Sequence, residues 1–80
     1  MEHFNKYITS NPAILIGKPT IKGTRISVKM IIRSLGEEAT IEEMIEGYPH
    51  IKREEILACL RYAVSVLDLE EKLVEFRTKK

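Results

Sequence analysis

The chain has 80 residues, of which 44% are hydrophobic and 31% are charged, and its formal net charge is +1. This length allows one domain with a thin core, because so short a chain buries only about 60–65% of the surface that its unfolded form exposes. The composition excludes a largely disordered chain, and small cores of this kind are often stabilised by association, so we expect a homodimer.

Cysteine content and hydropathy bear on the compartment. The single Cys59 excludes an internal disulfide, and the polar start Met1-Glu2-His3 lacks the charged and then apolar layout of a secretory signal. The longest apolar run, Ile56 to Leu60, is far shorter than the ~18 residues that a membrane span needs. We therefore expect a cytoplasmic protein with no membrane contact.

Two bends divide the segment from Gly17 to Val28. Gly17 and Pro19 bracket a turn, and Gly23 can adopt a positive φ at a second bend. Three β-branched residues favour short extended pieces between them: Thr20, Ile21 and Ile26. The pattern predicts a small β-hairpin in the region 7–26.

The net charge hides an asymmetry between the two parts of the chain. Residues 1–36 hold six bases and one acid, a net +5, whereas residues 37–80 hold seven bases and eleven acids, a net −4. Five bases between residues 18 and 33, with no acid among them, indicate an anion-binding surface. We interpret them as contacts to DNA phosphates: Lys18, Lys22, Arg25, Lys29 and Arg33. Alternatively they are solvated, and Thr24 and Arg25 hold the hairpin in shape.

Two short helices are predicted after the hairpin. The first runs from Val28 to Leu35, with Ser27 as N-cap and Gly36 as the terminating glycine. Its apolar residues recur at the spacing of one buried face: Val28, Ile31, Ile32 and Leu35. Thr40 and Glu43 form a capping box for the second helix, which Pro49 stops. The second helix repeats the same spacing: Ile41, Met44, Ile45 and Tyr48.

A third helix is predicted from near Arg53 into the last ten residues, because no Gly or Pro lies between Glu54 and Arg77. Lys52 is a weak N-cap for it. Its apolar residues fall on two stripes. The first should pack on the short helices: Ile56, Leu60, Ala63 and Leu67. The second should bind another protein, either a further copy of the chain or a different partner, unless the helix bends to bury both stripes: Tyr62, Val66, Leu69, Leu73 and Phe76.

No residue pattern points to catalysis, a metal or another cofactor, or a small-molecule substrate, so we do not expect an enzyme. His3 and His50 lack a second ligand at metal-binding spacing, and His50 fits a turn better. Cys59 fits a small core residue better than a nucleophile. The remaining acidic cluster is interpreted as a solvated helix face: Glu42, Glu43 and Glu46.

Several short motifs occur together in this chain: Ile8-Thr9-Ser10-Asn11-Pro12, Gly17-Lys18-Pro19, Gly23-Thr24-Arg25-Ile26, Tyr48-Pro49-His50-Ile51 and Glu55 to Ala63. In order and spacing they resemble the prokaryotic family catalogued as domain of unknown function 433, whose members are similar to VapB-type antitoxins. The resemblance covers roughly residues 7–64. It implies a helix-turn-helix-like fold, pairing with a PIN-like ribonuclease toxin, and binding of operator DNA.

In a helix-turn-helix, the start of the second helix of the pair meets the base edges. Here that start carries Arg53, a further candidate for DNA contact, beside Glu54 and Glu55, which are unfavourable near phosphates. The hairpin and first helix are the alternative contact surface. We therefore expect a mainly α protein: a helix-turn-helix-like three-helix core (28–64), the hairpin (7–26) and a C-terminal helix extension (65–80). Its expected function is that of an antitoxin; the alternative is an interaction module without a DNA role.

Overall fold

The computed structural model describes residues 6–48 and 50–78, with the backbone alone for residues 73–78. Two strands, β1 (Ile8–Ser10) and β2 (Pro19–Ile21), precede three helices. The helices are α1 (Val28–Gly36), α2 (Ile41–Gly47) and α3 (Arg53–Thr78). The predicted fold class is confirmed: the protein is mainly helical, with a small antiparallel sheet near its N-terminus and a long C-terminal helix.

The two strands form an antiparallel pair in which Thr9 lies opposite Thr20. The pair falls within the predicted region 7–26, but its first strand precedes Gly17 and lies outside the Gly17-to-Val28 segment. The turn after β2 is too tight to return as a second paired strand. It forms one isolated bridge, between Thr20 and Ser27.

The connection between β1 and β2 contains three successive left-handed residues: Leu15 (φ 50°), Ile16 (φ 56°) and Gly17 (φ 78°). This conformation is unfavourable for residues other than glycine, and most of all for a β-branched one. The Ser10 hydroxyl donates a hydrogen bond to the Gly17 carbonyl and ties the connection to the end of β1. The side chain of Ile16 is 92% exposed.

The two short helices begin where they were predicted to begin. The Ser27 Oγ accepts a hydrogen bond from the Met30 N–H at 3.0 Å, which caps α1. The Thr40 Oγ1 accepts from the Glu43 N–H at 3.0 Å and the Glu43 Oε1 accepts from the Thr40 N–H at 2.9 Å, which completes the predicted capping box of α2. Both helix starts therefore follow from local sequence signals.

The end of α1 differs from the prediction, whereas the predicted stop of α2 is not tested. Gly36 is the last residue of α1, and the left-handed residue that reverses the chain is Glu38 (φ 75°). The last carbonyls of α1 accept from the Glu37 and Ala39 N–H groups, so the reversal falls after the glycine. Helix α2 ends at Gly47, and its predicted stop, Pro49, lies outside the described residues.

The start of α3 is better capped than predicted. The Lys52 N–H donates to the Glu55 Oε1 at 2.8 Å, which supplies one half of a capping box. A Ser or Thr at position 52 is therefore not required for the helix to begin at Arg53. Its side chain would complete the other half.

The core lies where the sheet and the short helices meet the first turns of α3. Ile21, Ile31 and Ile56 are fully buried at its centre. The other buried apolar residues are Ile8, Val28, Met44, Ile51, Ala58 and Cys59. Within residues 6–48 and 50–78, no helix combines the length and the hydropathy that spanning a membrane would need.

The predicted packing of α3 is wrong in one respect. Leu60 and Leu67, assigned to the stripe that packs on the short helices, are 37% and 54% exposed. Ile56, Ala58 and Cys59 of α3 are buried in the core, and Tyr62 is partly buried against it. At about 100° per residue, Val66 and Leu69 continue that same face. One face of α3 therefore packs on the core in its first turns and remains open to a partner farther along, because the core beneath it ends near Tyr62 while the helix continues. We call residues 64–72 the overhang.

Candidate functional site

The five predicted DNA-contact bases are all exposed on the N-terminal half of the chain. Lys18 precedes β2, Lys22 and Arg25 lie in the turn after it, and Lys29 and Arg33 stand four residues apart on α1. None of the five side chains makes a hydrogen bond or an ion pair with any residue that the structure describes. Their charges are therefore uncompensated by the described part of the chain.

Thr24 holds the turn that carries two of these bases. Its Oγ1 donates to the Ile21 carbonyl at 2.8 Å and accepts from the Ile26 N–H at 3.0 Å. Gly23 supplies the positive φ (78°) that the turn needs. The structural interpretation of Thr24 is thus confirmed, whereas the Arg25 guanidinium bonds no described residue and is available to a ligand.

Arg53 differs from the five bases of the N-terminal half in its electrostatic surroundings. Its Nη1 is 3.4 Å from the Glu42 Oε2 in an ion pair that links α3 to α2. Glu54 and Glu55 occupy the same first turn of α3. The start of α3 therefore does not present a net positive surface.

An apolar groove of about 520 Å³ lies between α1 and α3. Pro19, Val28 and Ile32 line one side of it. Tyr62, Ala63, Val66 and Leu67 of α3 line the other side, and Lys18 and Lys29 also line it. The groove thus brings together two of the predicted DNA-contact bases and two of the predicted interface residues. Sequence reasoning missed this, because no local signal links positions more than 30 residues apart.

The predicted interface residues are not equivalent in the structure. Tyr62 packs in part against the core. Val66 and Leu69 are 47% and 61% exposed. The side chains of Leu73 and Phe76 lie outside the described part of the chain. The apolar surface that the structure offers to a partner therefore begins after Tyr62.

Cys59 and His50 have the structural roles predicted for them. Cys59 is fully buried, and burial together with the nearby Glu55 carboxylate raises the pKa of its thiol from 9.0 to about 12. The thiol is therefore protonated and inert at neutral pH. His50 lies in a turn with φ 72°. Among the described residues, no group of three or more His, Cys, Asp or Glu is placed to hold a metal ion.

Comparison with known proteins gives two matches. "Uncharacterized protein y4eO" of Sinorhizobium fredii (strain NBRC 101917 / NGR234) is 36% identical over 56 residues, which are 70% of this chain and 25% of that protein. The chain thus spans about a quarter of the length of this curated relative. No solved structure matches this chain. The model of the family described as "Protein of unknown function (DUF433)" matches residues 8–63, from the first strand to the point where α3 leaves the core. This match covers more than half of the chain, which therefore belongs to the DUF433 family.

Proposed function

We propose that this protein is the antitoxin of a toxin–antitoxin pair, a cytoplasmic homodimer without catalytic activity. Its basic N-terminal half binds operator DNA, and α3 binds a PIN-like ribonuclease toxin. One observation carries the proposal: bases without a partner among the described residues are exposed on the N-terminal half of the chain, and an apolar and acidic stretch of α3 is exposed on the C-terminal half.

The argument for DNA rests on the uncompensated bases. Lysines and arginines that bind phosphates release counterions from the duplex, which supplies most of the affinity that does not depend on sequence. Lys22 and Arg25 in the turn and Arg33 on α1 are exposed and unpaired among the described residues. They have the properties of phosphate contacts. Base readout is not assigned to any of them.

The argument for a protein partner rests on the overhang. Val66 and Leu69 are largely exposed, although an apolar helix face is normally covered. Exposed acids lie along the same stretch: Asp68, Glu70 and Glu71. An acidic helix with an apolar face complements the basic cleft that a ribonuclease needs for its RNA substrate. The choice of a PIN-like toxin comes from the resemblance of the sequence motifs to antitoxins.

A second candidate function is that of a protein-interaction module without a DNA role. The ion pair between Arg53 and Glu42 favours it, because Arg53 is the one base in the first turn of α3. In a helix-turn-helix that turn reads the bases, and Glu54 and Glu55 would meet phosphates there.

Fluorescence anisotropy of the full chain separates the two candidates. A labelled duplex from upstream of the gene is titrated beside a scrambled duplex at several salt concentrations. Tighter binding to the native duplex with a steep salt dependence supports the repressor. Weak binding to both overturns the DNA part of the proposal and leaves the interaction module.

A matched pair of variants locates the contact surface. The triple variant Lys22→Gln, Arg25→Gln, Arg33→Gln should lose affinity, and its salt slope should fall by about 0.9 for each phosphate contact removed. The control removes three exposed bases of the other half and should bind normally: Lys52→Gln, Arg61→Gln and Lys72→Gln. Equal losses in both variants would mean that only net charge matters.

The toxin part has its own test. The chain is mixed with the purified product of the open reading frame beside its gene, and cleavage of a labelled RNA is followed. We expect cleavage to stop once the two proteins reach their binding ratio. Full cleavage in the presence of excess chain would overturn the assignment as an antitoxin of that enzyme.

A further inference from the structure

We propose that the groove between α1 and α3 is filled by α3 of a second copy of this chain, running antiparallel to the first. In this dimer Glu70 of one overhang meets the lysines of the other copy's groove, Lys18 and Lys29. The inference rests on the proposed function only for the dimer that both assume. It assigns the surface, the orientation and the ion pairs of that dimer, in which the second copy covers Val66 and Leu69 and therefore competes with the toxin for the overhang.

The spacing of the apolar residues on α3 favours a helix as the occupant. Cys59, Tyr62, Val66 and Leu69 are separated by three, four and three residues. This alternation is the seam of two helices that pack along each other. The core covers the seam as far as Tyr62, whereas Val66 and Leu69 are left exposed. A second helix laid along the groove would continue the cover that the core provides.

Charge identifies that helix as one from this chain. Lys18 and Lys29 line an otherwise apolar groove, and neither has an ionic partner among the described residues. The chain carries a complementary charge on its own overhang, where Glu70 is exposed and lies about 40° from Val66 around α3, on the groove side. The other two exposed acids, Asp68 and Glu71, lie about 200° and 140° from Val66, on the side away from the groove. Within one copy, the described residues form no ion pair between Glu70 and the two lysines. The lysines of one copy and the Glu70 carboxylate of another can therefore pair across an interface.

The direction of the second helix follows from the same charges. In a parallel pair, Glu70 would face Glu70 of the other copy, and like charges across an interface are unfavourable. In an antiparallel pair that crosses near Val66, Glu70 of one copy lies near Tyr62 of the other, on the groove wall shared with the lysines. The arrangement has two-fold symmetry, so both grooves are filled in the same way.

This dimer divides the five exposed bases into two groups. Lys18 and Lys29 belong to the interface between copies, where Glu70 of the other copy faces them. The remaining three stay outside the groove and are left for DNA: Lys22, Arg25 and Arg33. The sequence alone suggested one basic surface for all five.

Sedimentation velocity of the full chain, without DNA or toxin, tests the proposal over a range of protein concentrations. One variant reverses the groove charges (Lys18→Glu, Lys29→Glu). A second reverses the charge of the overhang acid on the groove side (Glu70→Lys). The control carries the same charge change as the first variant, away from the groove (Lys22→Glu, Arg33→Glu). All the substituted positions are exposed, and the circular dichroism of each variant verifies its helical content.

We expect the unmodified chain and the control to dimerise, and each charge-reversal variant to dissociate at least about tenfold more readily, because like charges then face each other. An equimolar mixture of the two charge-reversal variants should restore the dimer, since each groove then meets an overhang of opposite charge. A monomeric unmodified chain would overturn the proposal and assign the groove to another ligand. Unaffected dimers, or a mixture that stays dissociated, would overturn it as well. The assay contains neither DNA nor toxin, so a failure of this dimer is distinguishable from a failure of DNA binding or toxin binding, which anisotropy and RNA cleavage test separately.

Discussion

The Thr24 hydroxyl donates a 2.8 Å hydrogen bond to the Ile21 carbonyl and thereby closes the turn that carries Lys22 and Arg25. Thr24→Val should lower the free energy of unfolding by about 1–2 kcal/mol, because it also leaves the part-buried Ile26 N–H without its acceptor. Arg25→Gln should change that free energy by less than about 0.5 kcal/mol. Urea denaturation followed by circular dichroism measures both. Equal losses would mean that Arg25 also holds the turn.

Glu55 should stabilise the start of α3 through its side chain. Glu55→Ala removes the acceptor of the Lys52 N–H and should cost about 1 kcal/mol, whereas Glu55→Gln keeps an acceptor at the same place and should cost less. Glu54→Ala is the matched control, since its exposed carboxylate accepts no hydrogen bond from a described residue. Thermal unfolding of the three variants provides the comparison. A Glu54→Ala loss as large as that of Glu55→Ala would point to the helix dipole instead of the cap.

Burial of Cys59 predicts a pH dependence above neutrality. The pKa of its thiol is raised from 9.0 to about 12 in the folded chain, so between these values the folded state holds a proton that the unfolded state has lost. Its contribution to stability is therefore complete below pH 9 and declines as the pH rises towards 12. Urea denaturation at pH 8 and at a pH near 10 should show this decline, and Cys59→Ala should reduce it. An unchanged decline in Cys59→Ala would assign it to other groups.

The same residue should be slow to react with thiol reagents. Only the thiolate reacts, and both the raised pKa and the full burial of Cys59 suppress it. Ellman's reagent at neutral pH should label the folded chain slowly and the urea-unfolded chain rapidly. Equal rates would show that α3 opens readily around Cys59.

Val66 and Val64 form a matched pair for the assembly. They are 47% and 55% exposed, and they lie about 200° apart around α3, so only Val66 lines the groove. Val66→Glu should convert a dimer to a monomer in light scattering, because a carboxylate would enter the apolar seam. Val64→Glu should leave the dimer intact. Dissociation by both would mean that the interface does not follow the groove.

Local signals in the sequence predicted the helix starts and the fold class, because caps involve residues that lie within one turn of each other. Ser27 and the pair Thr40 and Glu43 are examples. The end of α1 was predicted less accurately. The chain reverses at Glu38, a residue with no intrinsic preference for positive φ. The left-handed conformation of Ile16 had no sequence signal for the same reason.

Which residues of α3 are buried could not be predicted from periodicity alone, because it depends on the tertiary structure. Periodicity shows which residues share a face, but it does not show where along the helix the core ends. Leu60 and Leu67 were therefore assigned to the core, although both are exposed at its margin. Likewise, the spacing of the bases on α1 predicted a common surface, but only the fold places Lys18 and Lys29 beside Val66 at one groove.

One face of α3 closes the core at Cys59 and lies bare at Leu69, within a single continuous helix. Folding and assembly are therefore thermodynamically linked. A partner that binds the overhang stabilises α3, and the first turns of the same helix cover the core. Under the proposed dimer, the melting temperature rises with protein concentration. A dilute chain without a partner spends more time unfolded, which is the state that cellular proteases degrade. The extension of α3 beyond the core would in this way make the cellular lifetime of the protein depend on the concentration of its binding partner.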